Sequence, residues 1–191
     1  MPLLERIRAA AHPDRRILVI NGHPDPRPER FCAALCNAYE QGAHHAGWPV
    51  RHLAVGDLSL ALDGPAGCAN LEAAMADINW STHLILVFPL WLNRPPDAVR
   101  SLFEHWQSDR RRCGTLAFER SLRTVITMEM PAFAHRAMLR CGIDINQFSR
   151  SILLPGFADQ QQDFIGSVAS ISAGARNGWL ESMRCSGAAA L

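Results

Sequence analysis

Short apolar runs alternate with longer amphipathic segments along most of the chain. The short runs are rich in aliphatic and β-branched residues and predict five strands, at 16–22, 50–55, 84–88, 123–128 and 151–157. The longer segments repeat their apolar residues at helical spacing and predict helices at 28–47, 70–80, 97–106, 132–140 and 166–184. This alternation is typical of βαβ units, so we expect an α/β protein whose parallel sheet is covered by helices on both faces.

The alternation continues without an internal repeat, a low-complexity tract or an interdomain linker. We therefore expect one domain over residues 1–191, with residues 1–15 as an N-terminal extension. In a doubly wound sheet of five strands, ligands bind outside the carboxyl ends of the strands, where the strand order reverses. Three segments follow strands at that edge, and they are NGHPDPRPERF (21–31), PLWLNRPP (89–96) and TMEMPAFAH (127–135).

Composition narrows the chemistry and the partners. All 19 basic residues are arginine, which excludes a Schiff base and a phosphate-loop lysine. A net charge of +1 gives no reason to expect nucleic acid or an anionic membrane as a partner. The six cysteines form no CxxC pair and the histidines lack metal-ligand spacing, so we expect a reduced cytoplasmic protein with no metal site. The sequence shows neither a secretory signal nor an apolar stretch long enough to span a membrane.

The three loop segments carry motifs that resemble those of the flavodoxin-like NAD(P)H:quinone oxidoreductases. The segment INGHPDPRPERFCAAL matches the opening GHPxPxxF of one branch, and PLWLNRPPDAV matches the Pro-Leu-Trp loop that precedes a helix. TMEMP is similar to the family's TMGMP, and GSV…WLESMR is similar to its C-terminal helix. The resemblance extends from residue 16 to residue 184 and implies a flavodoxin-like sheet with strand order 2-1-3-4-5.

The resemblance also implies a function and an assembly. It implies a homodimer that binds FMN, or else FAD, and transfers a hydride from NAD(P)H to a quinone-like acceptor. Two tryptophans expected on exposed loops, Trp91 and Trp106, add to the expectation of a dimer. The alternative is a flavin-free member of the same fold that serves as a regulatory or scaffolding subunit.

In the first loop, the resemblance assigns His23, Arg30, Phe31 and Cys32 to the cofactor site. The segment from 27 to 32 begins the first predicted helix, whose free N–H groups and dipole favour an anion such as a flavin phosphate. Relatives usually offer Ser or Thr hydroxyls here, and Arg30 replaces them with a charge-assisted hydrogen bond, unless it is only a surface residue. We expect His23 to orient the loop.

In the second loop, the resemblance places the residues that follow the third strand along the edge and face of the isoalloxazine ring. These residues are Pro89, Leu90, Trp91, Leu92 and Asn93. Trp91 offers apolar area for such a ring, or alternatively packs in the core or at a dimer interface. Asn93 takes the place of a glycine and tolerates positive φ, whereas the neighbouring proline at 95 removes a backbone N–H.

In the third loop, the resemblance assigns Thr127, Met128 and Glu129 to the cofactor site. Glu129 replaces a glycine, so an inward side chain would crowd the ring and disfavour an anionic reduced flavin, whereas an outward side chain would leave room. His135 stands where relatives often carry tyrosine, and it is the expected catalytic residue because it can donate to the flavin carbonyl. The other interpretation of His135 is a histidine on a helix surface. Glu129, Pro95 and the missing hydroxyls favour the flavin-free alternative.

Overall fold

One parallel sheet organises the protein. The computed structural model describes residues 14–58, 65–91, 94–113, 120–131, 133–134 and 157–191. Five strands in these ranges pair in the order β2-β1-β3-β4-β5, all of them parallel. The strands are β1 (Ile17–Asn21), β2 (Val50–Ala54), β3 (His83–Pro89), β4 (Ser121–Thr127) and β5 (Asp159–Ile165). The predicted flavodoxin-like strand order is confirmed.

Helices cover both faces of this sheet. In the described part of the chain they are α1 (Phe31–His45), α2 (Pro65–Trp80), α3 (Asp97–Cys113) and α4 (Ala173–Ala189). Successive strand residues point to opposite faces, so Leu18 and Ile20 pack with α2 and α3, whereas Ile17 and Val19 pack with α1 and α4. The sheet therefore separates two apolar layers, as expected for a doubly wound fold. None of the described helices is long and apolar enough to cross a membrane.

The fifth strand lies later in the chain than its predicted position. We expected it at 151–157, but β5 is the polar segment DQQQDFI, and Phe157 precedes it. β5 pairs only with β4, at the edge of the sheet, where polar residues are tolerated and discourage pairing with other chains. Residues 151–156 lie outside the described residues. β5 was missed because the search followed apolar runs, and an edge strand does not require one.

Trp106 is the second correction. We expected it on an exposed loop, but α3 continues to Cys113, and the side chain of Trp106 is fully buried. Its Nε1 donates to Asn79 Oδ1 at 3.2 Å, and its ring stacks on Phe157 with 5.3 Å between the ring centroids. Trp106 is therefore a core residue. The helix predicted at 132–140 lies almost entirely outside the described residues.

The last helix packs closely against the first one. A Cβ atom added to Gly42 of α1 would lie 1.9 Å from the carbonyl oxygen of Arg184, and one added to Gly187 of α4 would lie 2.0 Å from that of Tyr39. Only glycine allows the two backbones to approach this closely. The last helix was predicted at 166–184, but α4 begins at Ala173, after a short 3₁₀ turn at Val168–Ser170. The contact with α1 brings the start of α4 beside the start of α1.

Candidate functional site

A cavity of about 690 Å³ opens at the carboxyl ends of the central strands. It is lined by the loops that follow β1, β3 and β4, and by the segment around the start of α4. The lining includes most of the predicted cofactor residues, namely His23, Arg30, Phe31, Cys32, Pro89, Leu90, Trp91, Thr127, Met128 and Glu129. Leu92, Asn93 and the predicted catalytic residue His135 lie outside the described residues.

His23 holds the first loop in shape. Its backbone N–H donates to Asn21 Oδ1 at 3.1 Å, and its Nδ1 accepts a hydrogen bond from the backbone N–H of Asp25 at 2.9 Å. Partial burial lowers the pKa of the imidazole, so the ring is neutral at pH 7, as its accepting Nδ1 requires. The same ring meets Trp91 edge to face, which joins the first loop to the second.

Asp25 binds two arginines at the mouth of the cavity. Its carboxylate accepts hydrogen bonds from Arg27 Nε at 2.9 Å and from Arg30 Nε at 2.8 Å. These hydrogen bonds hold the pKa of the Asp25 carboxyl well below its ordinary range, and the bond from Arg27 has the largest effect. The positive charge of Arg30 is therefore offset in this structure by an aspartate that itself lines the cavity.

The N-terminus of α1 points to the cavity without a side-chain cap. Arg30 occupies the N-cap position with extended backbone, and its side chain makes no capping hydrogen bond within the described chain. The first N–H groups of α1 thus have neither an intrahelical acceptor nor a cap, which makes them suitable donors to an anion.

Cys32 joins this first turn to the end of β4. Its Sγ lies 3.4 Å from Thr127 Oγ1, and burial raises the pKa of the thiol to about 11. The thiol is therefore protonated at neutral pH and is a poor nucleophile. Cys36, one turn further along α1, is also buried, and both thiols pack in the apolar layer that α1 forms with the sheet.

The second loop ends β3 and turns back on itself. Leu90 donates its N–H to the carbonyl of Thr127 at 2.7 Å, and Trp91 and Arg94 exchange backbone hydrogen bonds at 2.9 and 2.8 Å. The side chain of Trp91 is 48% exposed, so the alternative of core packing is wrong for this residue. The indole is instead available to a ligand or to another subunit.

The third loop is tied to the segment that precedes α4. The N–H of Val168 donates to the carbonyl of Met128, and the N–H of Ser167 donates to that of Met130. Ser167 adopts a left-handed conformation with φ of 55°, and this turn brings the 3₁₀ segment to the cavity wall. Glu129 is exposed at the rim of the cavity. Of the two orientations predicted for its side chain, this is the outward one.

Arg176 is the basic residue of the cavity wall that the sequence reasoning missed. It lies in the first turn of α4, and its guanidinium carbon is 4.4 Å from the centre of the Phe31 ring. The predicted helix at 166–184 contains Arg176, but no local pattern shows that this helix packs on α1.

No metal site accompanies the cavity in the described part of the chain, where no three His, Cys, Asp or Glu side chains are grouped to hold an ion. The cavity combines exposed apolar surface, uncapped helix N–H groups and charged side chains. Such an arrangement suits an organic ligand that carries both a flat ring and an anionic group.

Comparisons with known proteins agree with the architecture. Residues 15–153 match the sequence model of a protein family that is described as having a flavodoxin-like fold. No curated protein matches the chain in sequence. Among solved structures, an NAD(P)H:quinone oxidoreductase from Methanothermobacter marburgensis superposes with a TM-score of 0.68 at 13% identity, covering 91% of this chain and 96% of that one.

Two further solved structures are similar to the same extent. An FMN-dependent NADH-azoreductase from Bacillus anthracis, in complex with FMN, gives a TM-score of 0.69 at 9% identity, covering 91% of this chain and 97% of that one. A putative quinone reductase from Klebsiella pneumoniae gives 0.68 at 15% identity, covering 91% and 83%. At these identities the likeness shows a shared fold.

Proposed function

The chain belongs to the family of proteins with a flavodoxin-like fold, and on that premise we propose that it is an FMN-dependent NAD(P)H oxidoreductase. It reduces quinone-like small molecules by two-electron hydride transfer. The observation that carries this proposal is the convergence of the three predicted loops on one cavity at the carboxyl ends of β1, β3 and β4. Similar solved structures named as quinone reductases and as an FMN-dependent azoreductase support it.

The residues of the cavity fit a flavin mononucleotide. A volume of about 690 Å³ lies in the range of small-molecule sites. Pro89, Leu90 and Trp91 offer an apolar wall for the ring system, and the uncapped start of α1 offers N–H donors for a phosphate. FAD is a possible substitute, because it carries the same ring and a phosphate at the same position.

The bound flavin supplies the centre that accepts and donates hydride, and the protein supplies position and electrostatics. His23 keeps the first loop in place through Nδ1, and its edge-to-face contact joins that loop to Trp91 of the apolar wall. NAD(P)H and the acceptor would occupy the cavity one after the other. His135 is the proposed catalytic residue and would supply a hydrogen-bond donor to the bound flavin; this role rests on the family resemblance.

We also propose a cytoplasmic homodimer. Two large apolar side chains from loops at this edge are exposed, Trp91 at 48% and Phe133 at 76%. Exposed aromatic rings beside a binding cavity are typical of surfaces that another subunit covers. A second copy placed there would exclude water from the ring, which a hydride-transfer site needs.

One observation favours the flavin-free alternative. The N–H groups of Trp91 and Arg94 are engaged with each other's carbonyls, and Pro95 has no N–H to offer. A loop whose amides are already bonded has fewer donors for the edge of a flavin ring. In this alternative the chain would be a regulatory or scaffolding subunit.

Titration of the purified protein with FMN, FAD and riboflavin tests the proposal. We expect stoichiometric FMN binding with micromolar or tighter affinity, followed by loss of flavin absorbance on anaerobic addition of NADH or NADPH. A quinone added next should restore that absorbance. Absence of binding by all three flavins would refute the proposal and favour the flavin-free alternative.

A further inference from the structure

Acidic residues outnumber basic residues around the cavity, and this balance is unfavourable for a ligand that carries a phosphate. The residues that line the cavity include the acidic Asp25, Glu29 and Glu129 and the basic Arg30 and Arg176. A phosphate monoester carries nearly two negative charges at pH 7, so it must be compensated at close range. The identity of the compensating cation therefore decides whether the cavity accepts a phosphorylated ligand at all.

Arg30 is already committed to another partner. Its Nε and Nη2 both donate to Asp25 Oδ2, at 2.8 and 2.5 Å, and Arg27 shares the same carboxylate. Transfer of Arg30 to a phosphate would break these bonds and leave Asp25 closer to the incoming anion. The binding free energy gained from such an exchange is smaller than the binding free energy gained from a cation that has no carboxylate partner.

Arg176 is a cation without a carboxylate partner among the described residues. Its guanidinium lies over the ring of Phe31, the first residue of α1, and it makes no ion pair with any described residue. The Phe31 ring restricts the side chain while leaving the N–H groups of the guanidinium edge available for hydrogen bonds. Arg176 is partly buried, so its charge is less screened than that of a surface arginine.

The backbone that carries Arg176 is also fixed. The N–H of Arg176 donates to the carbonyl of Ser172 at 2.9 Å, and the hydroxyl of Ser172 caps α4 by accepting from Ala175. The close crossing at Gly42 and Gly187 holds α4 against α1. Arg176 and the uncapped N–H groups of α1 therefore belong to one rigid unit and face the same end of the cavity.

We propose that Arg176 is the residue that binds the phosphate of the flavin, together with the first N–H groups of α1, and that it makes the site selective for FMN over riboflavin. This assignment rests on the proposed function. In this assignment the main positive charge that faces the phosphate comes from the C-terminal helix and not from Arg30. It explains how a phosphate can bind at the start of α1 without the Ser or Thr hydroxyls that relatives use. Arg30 then contributes a secondary, long-range attraction.

The test compares FMN and riboflavin binding in two variants of α4. Arg176→Gln should weaken FMN binding by roughly tenfold or more, the scale of a charged hydrogen bond, and change riboflavin binding by less than about twofold. Arg184→Gln is the matched control, because Arg184 lies on the same helix outside the cavity wall and pairs with Glu181. It should bind both flavins as the parent does. The loss with Arg176→Gln should shrink as salt is added.

Four results would overturn the assignment. Equal losses for FMN and riboflavin in Arg176→Gln, with unchanged thermal unfolding, would mean that Arg176 acts through the packing of Phe31. A selective loss of FMN in Arg30→Gln but not in Arg176→Gln would return the phosphate to the first loop. If the parent protein binds neither flavin, the proposed function fails and the assignment fails with it. Parent binding that Arg176→Gln leaves unchanged would refute the assignment alone.

Discussion

The imidazole of His23 and the indole of Trp91 meet edge to face, with 5.8 Å between the ring centroids and planes at 85°. The contact joins the loop after β1 to the loop after β3, the two strands between which the strand order reverses. His23 also accepts the N–H of Asp25, so one side chain fixes both the internal shape of its loop and the distance to the next one.

We predict that His23→Ala weakens FMN and riboflavin by the same factor. The substitution removes a partly buried acceptor and an aromatic contact, which together are worth about 1–2 kcal/mol, or roughly fivefold to thirtyfold in affinity. Fluorescence titration of both flavins measures the effect. His45→Ala is the control, since His45 is exposed at the end of α1 away from the cavity. A loss confined to FMN would instead indicate that His23 contacts the phosphate.

Glu129 gives a second prediction. Because its side chain is exposed at the rim, its charge is screened by water, and such charges contribute about 0–1 kcal/mol. We expect Glu129→Gln to strengthen FMN binding by no more than about fivefold and to leave riboflavin unchanged. Isothermal titration of the two flavins provides the comparison. A larger gain, shared by riboflavin, would mean that the side chain turns inward against the ring when a flavin binds.

The sequence was sufficient to predict the strand order and most of the cavity wall because both depend on local patterns. Buried strands need apolar runs, and in a parallel sheet the loops that follow neighbouring strands meet at one edge. β5 and Arg176 were missed for the opposite reason. β5 lies at the edge and is mostly polar, and Arg176 reaches the cavity only through the packing of α4 on α1. Neither relationship leaves a periodic signal near the residue concerned.

A pH-dependent contribution to stability is expected from His52 and Glu40, which link β2 to α1. The hydrogen bond from His52 Nδ1 to the Glu40 carboxylate raises the pKa of His52. A histidine whose pKa is raised on folding stabilises the protein below its unfolded pKa of about 6.5, and this contribution is lost as the pH rises through the folded pKa. The imidazole is 40% exposed, so we expect less than about 1 kcal/mol.

Urea unfolding of the parent and of Glu40→Gln measures this contribution. The difference in free energy of unfolding between them should be larger near about pH 6 than near about pH 8. Asp77→Asn serves as the control, because it breaks an exposed ion pair with Arg51 that contains no histidine. A difference that does not change with pH would show that the hydrogen bond between His52 and Glu40 does not require a protonated imidazole.

The crossing of α1 and α4 yields the last prediction, since it links stability to the binding cavity. Gly42→Ala would place a methyl group 1.9 Å from a backbone carbonyl oxygen, and backbone cannot move aside as a flexible side chain can. The helices must separate, at a cost of about 1–3 kcal/mol or more in the free energy of unfolding. Gly178→Ala on α4 is the control, because nothing lies within 4 Å of its added methyl group. It should stabilise the protein by about 0.5–1 kcal/mol.

The two alanine variants should also differ in ligand binding. Separation of the helices displaces the start of α4 from Phe31, so Gly42→Ala should weaken FMN more than riboflavin, whereas Gly178→Ala should alter neither. Urea unfolding and flavin titration of the same preparations provide both quantities. If Gly42→Ala lowers stability while FMN and riboflavin binding are kept, the position of Arg176 does not depend on this crossing.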